Sequence, residues 1–169
     1  TEEWNPATDK HLAAHYSRAD LSGKAACKTD LQRAMGLPAR PEVPILGVIS
    51  RLAEQKGIDL VAASAEALLA EETQLVLLGT GDPKLEAAFT ALQRARPSGA
   101  AVRIGFDVAL SHKIEAGADL FLMPSRYEPC GLNQMYSLLY GTIPVVRATG
   151  GLDDTGIPFD PKTGRGNGF

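Results

Sequence analysis

An α/β fold, a Rossmann-like parallel sheet with helices on both faces, is what this sequence predicts, and three observations predict it. Five short apolar runs recur along the chain: Ile45–Ile49, Leu75–Leu78, Val102–Ile104, Leu120–Met123 and Ile143–Val146. Between them lie stretches that read as helices, near Gly57–Ala70, Lys84–Ala95, Ala109–Ala116 and Leu132–Tyr140. Four strand–helix units in succession argue for parallel strands, which need a crossover between them. Finally, the runs are continuously apolar rather than alternating, as strands are when both faces of their sheet are covered.

The first 44 residues differ from the rest and read as a lead-in segment with a helix and a Pro-rich linker. Trp4-Asn5-Pro6-Ala7-Thr8-Asp9 is turn-like. Ser22 to Met35 has the pattern of a helix, with Ser22 as N-cap and Gly36 as the residue that ends it. The stretch 37–44 holds Pro38, Pro41 and Pro44, which break any regular element. Residues 45–169 then form the α/β domain.

Length and charge bound the function. The 169 residues suffice for one sizeable core and are too few for two packed nucleotide-binding domains. With 17 Lys+Arg against 20 Asp+Glu, the net charge of −3 carries no electrostatic footprint for nucleic acid, and no basic run suits an anionic membrane. Any phosphate must be held by a few placed cations and backbone dipoles. Cys27 and Cys130 stand far apart without C-x-x-C spacing, which argues against a disulfide framework and a zinc site and fits a reduced, cytoplasmic compartment. The opening Thr1-Glu2-Glu3-Trp4 is acidic and unlike a signal peptide, and no run has the length of a membrane helix. His11 and His15 are four apart but lack a third metal ligand and read as surface histidines; His112 reads as structural, and Trp4 as an anchor of the lead-in by burial.

In such a fold ligands bind beyond the carboxyl ends of the strands, so the loops there matter most. After the first strand, Arg51 and Lys56 lie in the loop to the next helix. A guanidinium fork and a compact ammonium together neutralise a diphosphate, although solvated loop cations look the same in sequence. After the second strand, Gly79-Thr80-Gly81-Asp82-Pro83 permits a tight turn and opens a helix in cap-then-proline order. It matches neither G-x-G-x-x-G nor the P-loop pattern. Phe106 follows the third strand and reads either as an aromatic for stacking on a base or as a packing residue. After the fourth strand, the proline-bounded loop 124–132 carries Glu128, and Gly131 begins the next helix. The free N–H groups of Gly131, Leu132 and Asn133 make a natural phosphate site. Glu128 then faces the attached sugar or serves as a cap carboxylate; sequence leaves both open. Gly150 and Gly151 follow the fifth strand in what reads as a flexible turn with acidic neighbours.

Ser-Arg-Leu-x-x-Gln-Lys-Gly at 50–57, Pro-Ser-Arg-Tyr-Glu-Pro-Cys-Gly-Leu at 124–132, Tyr-Gly-Thr-Ile-Pro-Val-Val-Arg at 140–147 and Thr-Gly-Gly-Leu-x-Asp-Thr at 149–155 resemble bacterial glycogen synthases and plant starch synthases. Trp4–Asp9 and Leu21-Ser22-Gly23-Lys24 resemble the stretch leading into that family's second domain, so the resemblance runs through the whole chain in order. It implies the carboxyl-terminal, nucleotide-sugar-binding domain of a GT-B glycosyltransferase, without a catalytic metal or other cofactor. The implied activity is retaining transfer of glucose from ADP-glucose to an α-1,4-glucan acceptor held by an amino-terminal domain. Carried onto matching positions, Arg51 and Lys56 stabilise the diphosphate and Glu128 sits beside the transferred glucose. Phe106 stands against adenine. Gly131, Leu132 and Asn133 donate backbone N–H groups to the distal phosphate, Cys130 lines the pocket, and Gly150 and Gly151 form the second glycine turn. Asn133 replaces the family's usual threonine. Tyr136, eight positions after Glu128, stands where many related transferases carry a second glutamate, which favours the synthase branch and places it among the substrate-binding candidates. The family's Lys-x-Gly-Gly-Leu donor loop and its acceptor cleft are not in these residues, and the chain ends at Gly168-Phe169 before the helices expected to close the domain. The expectation is therefore a truncated domain, inactive alone. Rival readings are a nucleotide-sugar-binding module only, or a related retaining transferase using UDP-glucose or another acceptor.

Overall fold

In the computed structural model, which describes residues 3–70 and 72–169, the apolar runs become five parallel strands in the order β3-β2-β1-β4-β5. The acidic opening at Thr1 and Glu2 lies outside the described residues. The elements are α1 (Ser22–Ala34), β1 (Ile45–Ile49), a 3₁₀ turn (Glu54–Lys56), α2 (Ile58–Ala70), β2 (Gln74–Gly79), α3 (Pro83–Ala95), β3 (Ala100–Ile104), α4 (Val108–Gly117), β4 (Leu120–Met123), α5 (Asn133–Leu139), β5 (Ile143–Val146) and α6 (Gly151–Thr155).

The chain winds outward through β1, β2 and β3, then returns through α4 to pair β4 with the free side of β1. Strand order therefore reverses between β1 and β4, and the crevice at their carboxyl ends is where such sheets bind ligands.

Alternation along each strand builds two cores. Leu46, Val48, Leu75 and Leu77 pack under Ile58 and Val61 of α2 and Phe89 of α3. The intervening Ile45, Val76 and Leu78 pack with Phe121 under Leu31 of α1 and Leu110 and Ile114 of α4. Helices thus cover both faces, which is why the strands read as unbroken apolar runs.

Two expectations are corrected. Ser22 is the first helical residue rather than the cap: Leu21 precedes the helix, and the Ser22 N–H is met by the Asp20 carboxylate at 2.9 Å. The stretch after β5 is not a simple turn but the short helix α6.

The lead-in is tied down by buried polar contacts. One Asp9 carboxylate oxygen accepts from the Tyr140 hydroxyl at 2.5 Å and lies 2.6 Å from His112 Nδ1, while the other accepts the His11 N–H at 2.9 Å. Burial pushes the Asp9 carboxyl up, but these hydrogen bonds outweigh it and hold it below the ordinary carboxylate value. Trp4 lies stacked between His112 and Tyr136, with ring centroids 3.8 and 4.3 Å away. Nearby, the Lys24 ammonium donates to the Ala116 and Tyr140 carbonyls and the Thr142 hydroxyl, closing the carboxyl ends of α4 and α5. Its burial lowers it to about 8. Burial likewise raises the Glu115 carboxyl to about 8, against the opposing hydrogen bond from Ser137. No helix among the described residues is long and apolar enough to cross a membrane.

Candidate functional site

The crevice between β1 and β4 opens into a hollow of about 430 Å³. Ile49, Ser50 and Arg51 enter it from the end of β1, Lys56 from the 3₁₀ turn, and Met123, Ser125, Glu128 and Cys130 from the end of β4 and its loop. Leu132 and Asn133 close it at the start of α5. Glu128, 72 positions beyond Lys56, thus shares one cavity with Arg51 and Lys56.

Glu128 is 8% exposed, and its carboxylate accepts from the Lys56 ammonium at 2.5 Å and from the Ser125 hydroxyl at 3.3 Å. A buried carboxylate is costly without a compensating partner, and the Lys56 ammonium is that partner here. It caps no helix. Pairing also uses only one of the three ammonium donors, leaving the others for the hollow.

The two loops that carry this pair touch directly. Gly57 ends the 3₁₀ turn with φ of +67°, and a Cβ there would fall 2.0 Å from the Pro124 carbonyl oxygen. Only a residue without a side chain adopts that backbone and lets Lys56 approach Glu128. On the other side, a Cβ on Gly150 or Gly151 would meet the carbonyl of Glu128 at 2.3 Å or of Cys130 at 1.9 Å, and the Gly151 N–H donates to the Glu128 carbonyl at 3.1 Å. These two glycines back the loop rather than line the cavity.

Gly131 takes a left-handed conformation, φ +72°, and α5 begins two residues later, at Asn133 rather than at Gly131. The N–H groups of Gly131, Leu132 and Asn133 find no acceptor among the described residues. The Asn133 side chain is engaged elsewhere, donating to the Ile49 carbonyl at 3.2 Å. Gln134, which sequence reasoning did not single out, sits buried behind this segment. Its amide donates to the Cys130 and Gly131 carbonyls at 3.3 and 3.1 Å and to the Thr155 hydroxyl at 3.2 Å, binding the loop to α6. A Gln at the second position of a short helix carries no sequence signal for such a contact.

Phe106 is neither core nor edge packing: it is 88% exposed, on the rim of a second hollow of about 310 Å³. That hollow shares Ile49, Ser50, Arg51 and Asn133 with the first, so the two adjoin. The Gly79–Gly81 loop lines it but offers little to an anion, because the Glu86 carboxylate already accepts from the Thr80 hydroxyl at 2.7 Å and the Gly81 N–H at 2.9 Å. Tyr136 stands apart, stacked on Trp4 outside both hollows. Cys130 presents an exposed thiol to the cavity. Among the described residues, no group of three His, Cys, Asp or Glu side chains is placed to hold a metal ion.

Residues 35–165 match the family model described as glycosyl transferases group 1. The chain is 68% identical to a glycogen synthase of Anaeromyxobacter sp. (strain Fw109-5), over 99% of its own length and 35% of that protein. It is 48% identical to the soluble starch synthase 1, chloroplastic/amyloplastic, of Solanum tuberosum, over 98% of its length and 26% of that protein. Among solved structures, the catalytic domain of starch synthase IV from Arabidopsis thaliana bound to ADP and acarbose superposes with a TM-score of 0.89 at 40% identity, covering 96% of this chain and 34% of that one. The chain spans about a third of the length of the bacterial relatives. It belongs to the group 1 glycosyltransferases.

Proposed function

Taking that membership as premise, we propose that this chain supplies the nucleotide-sugar site of a retaining glucosyltransferase of the glycogen and starch synthase kind, which moves glucose from ADP-glucose to the end of an α-1,4-glucan. The single observation that carries this reading is the shared hollow: Arg51, Lys56 and the unpaired N–H groups of residues 131–133 border the same space as the buried Glu128. When the bond from glucose to diphosphate breaks, positive charge develops on the sugar and negative charge on the departing phosphate. Cations and oriented N–H groups aimed at that negative charge lower the barrier in the manner of an oxyanion hole. Glu128, held against Lys56 on the wall of the same hollow, serves as an acceptor for sugar hydroxyls, while Phe106, on the adjoining rim, offers a face to the base.

The solved relative that holds ADP supports the choice of nucleotide, and the curated glycogen and starch synthases support the acceptor. Free thiols at Cys27 and Cys130 accord with a reduced, cytoplasmic setting. A single half of a two-domain cleft neither excludes water nor orients an acceptor, and both effects weigh heavily on rate. The 169-residue chain is therefore expected to bind ADP weakly and to elongate no glucan. Calorimetric titration of the chain with ADP and with UDP tests this. Measurable binding of ADP in preference to UDP supports the reading; equal or stronger binding of UDP, or glucan elongation by the chain alone, contradicts it.

A further inference from the structure

Arg126 does not border the hollow, yet every contact it makes bears on the spacing of the two groups that do. Its guanidinium forks onto the Asp59 carboxylate in the first turn of α2, Nη1 to Oδ1 at 2.5 Å and Nη2 to Oδ2 at 2.7 Å. Nη1 also donates to the Glu54 carbonyl at 2.6 Å, in the 3₁₀ turn that carries Lys56. The Arg126 backbone N–H donates to the Gln55 carbonyl at 2.9 Å. One residue, two places before Glu128, thus grips the turn just before Lys56 and the helix just after it. The guanidinium holds the Asp59 carboxyl below its ordinary value, first through the hydrogen bonds and then through charge.

We propose that Arg126 is a positioning residue, a latch that with Asp59 sets the distance between the Lys56 ammonium and the Glu128 carboxylate and so shapes the diphosphate site. The proposal rests on the reading of that hollow as a nucleotide-sugar site. Its physical basis is that the pair is bidentate and partly shielded, with side chains 33% and 37% exposed, a geometry in which an arginine fork fixes orientation as well as separation. Lysine keeps the charge but loses the fork, so it restores attraction without the angle. Positional errors of about 1 Å at such sites cost up to about 100-fold.

Two readouts on the 169-residue chain test it. In the ligand-free protein, nitrogen-15 spectra of the lysine ammonium groups are expected to show Lys56 held by Glu128 in the wild type. That signal is lost in Arg126→Gln and Asp59→Asn and weakened in Arg126→Lys, which keeps the charge without the fork. Its persistence in Arg126→Gln or Asp59→Asn overturns the latch, whether or not nucleotide binds. In calorimetry, ADP affinity is expected to fall about tenfold or more in Arg126→Gln, with Arg126→Lys intermediate, while thermal unfolding stays cooperative. Unchanged ADP affinity in Arg126→Gln also overturns the latch. Absence of ADP binding by the wild type instead overturns the nucleotide-site reading, and the ammonium spectra still decide the latch.

Discussion

Replacing Lys56 by alanine in the full-length transferase is expected to lower turnover by about 10²–10³-fold, the loss typical of removing one preorganised donor from a site of developing negative charge. The Lys56 ammonium lies 2.5 Å from the Glu128 carboxylate on the wall of the hollow. An ammonium fixed by a buried carboxylate costs little to organise when negative charge appears beside it, and two of its donors are left over for that charge. Removing it also leaves Glu128 buried without its cation, a penalty of about 1–3 kcal/mol in stability. The two effects are separable. Lys56→Ala combined with Glu128→Gln relieves the buried charge, so stability recovers while turnover does not. Steady-state kinetics on both variants, beside thermal unfolding, checks this. Wild-type turnover in Lys56→Ala refutes the leaving-group role.

The largest expected effect on folding lies far from that hollow, at Asp9. Alanine there removes the acceptor shared by His112 and the Tyr140 hydroxyl, both fully buried, and loosens the lead-in whose Trp4 is stacked on His112 and Tyr136. Breaking a buried charged network by deleting one partner costs about 3–5 kcal/mol. The pH dependence follows from the depressed Asp9 carboxyl. A carboxyl lowered by folding contributes stability above its ordinary value of 3.8, and that contribution is lost as pH falls through the lower folded value. The gap between wild type and Asp9→Ala is therefore widest near neutral pH and narrows on acidification below about 4. Denaturant unfolding at neutral and acid pH measures it; a gap under about 1 kcal/mol at neutral pH counts against the network.

Much of this architecture was legible because the sheet is covered on both faces. Ile45–Ile49, Leu120–Met123 and Ile143–Val146 read as strands with the boundaries they have, since nothing polar interrupts them. β2 and β3 begin earlier than read for definite reasons. Gln74 is a polar residue buried by hydrogen bonds to Gln32 and the Pro38 carbonyl, and Ala100 and Ala101 are too small to announce a strand. α6 escaped because Gly150-Gly151 looks like a turn, and its five residues are held by the Gln134–Thr155 contact rather than by propensity. The convergence of Arg51, Lys56 and the segment 131–133 followed from placing each at the end of a parallel strand. The pairings did not. Lys56 meets Glu128 across 72 positions, Arg126 meets Asp59 across 67, and Asp9 meets His112 across 103. No local pattern encodes such contacts; they appear only once the strand order is known. Tyr136 shows the reverse: its place in a family motif suggested the ligand side, whereas packing turns its ring toward Trp4.

The most direct measurement is a nitrogen-15 amide spectrum of this chain titrated with ADP. Shifts are expected to concentrate at Arg51, Lys56, Gly131, Leu132 and Asn133, extending to Phe106 on the adjoining rim. Shifts that cluster instead around the separate apolar hollow of Tyr16, Leu21 and Leu139, with residues 51, 56 and 131–133 unmoved, would contradict it.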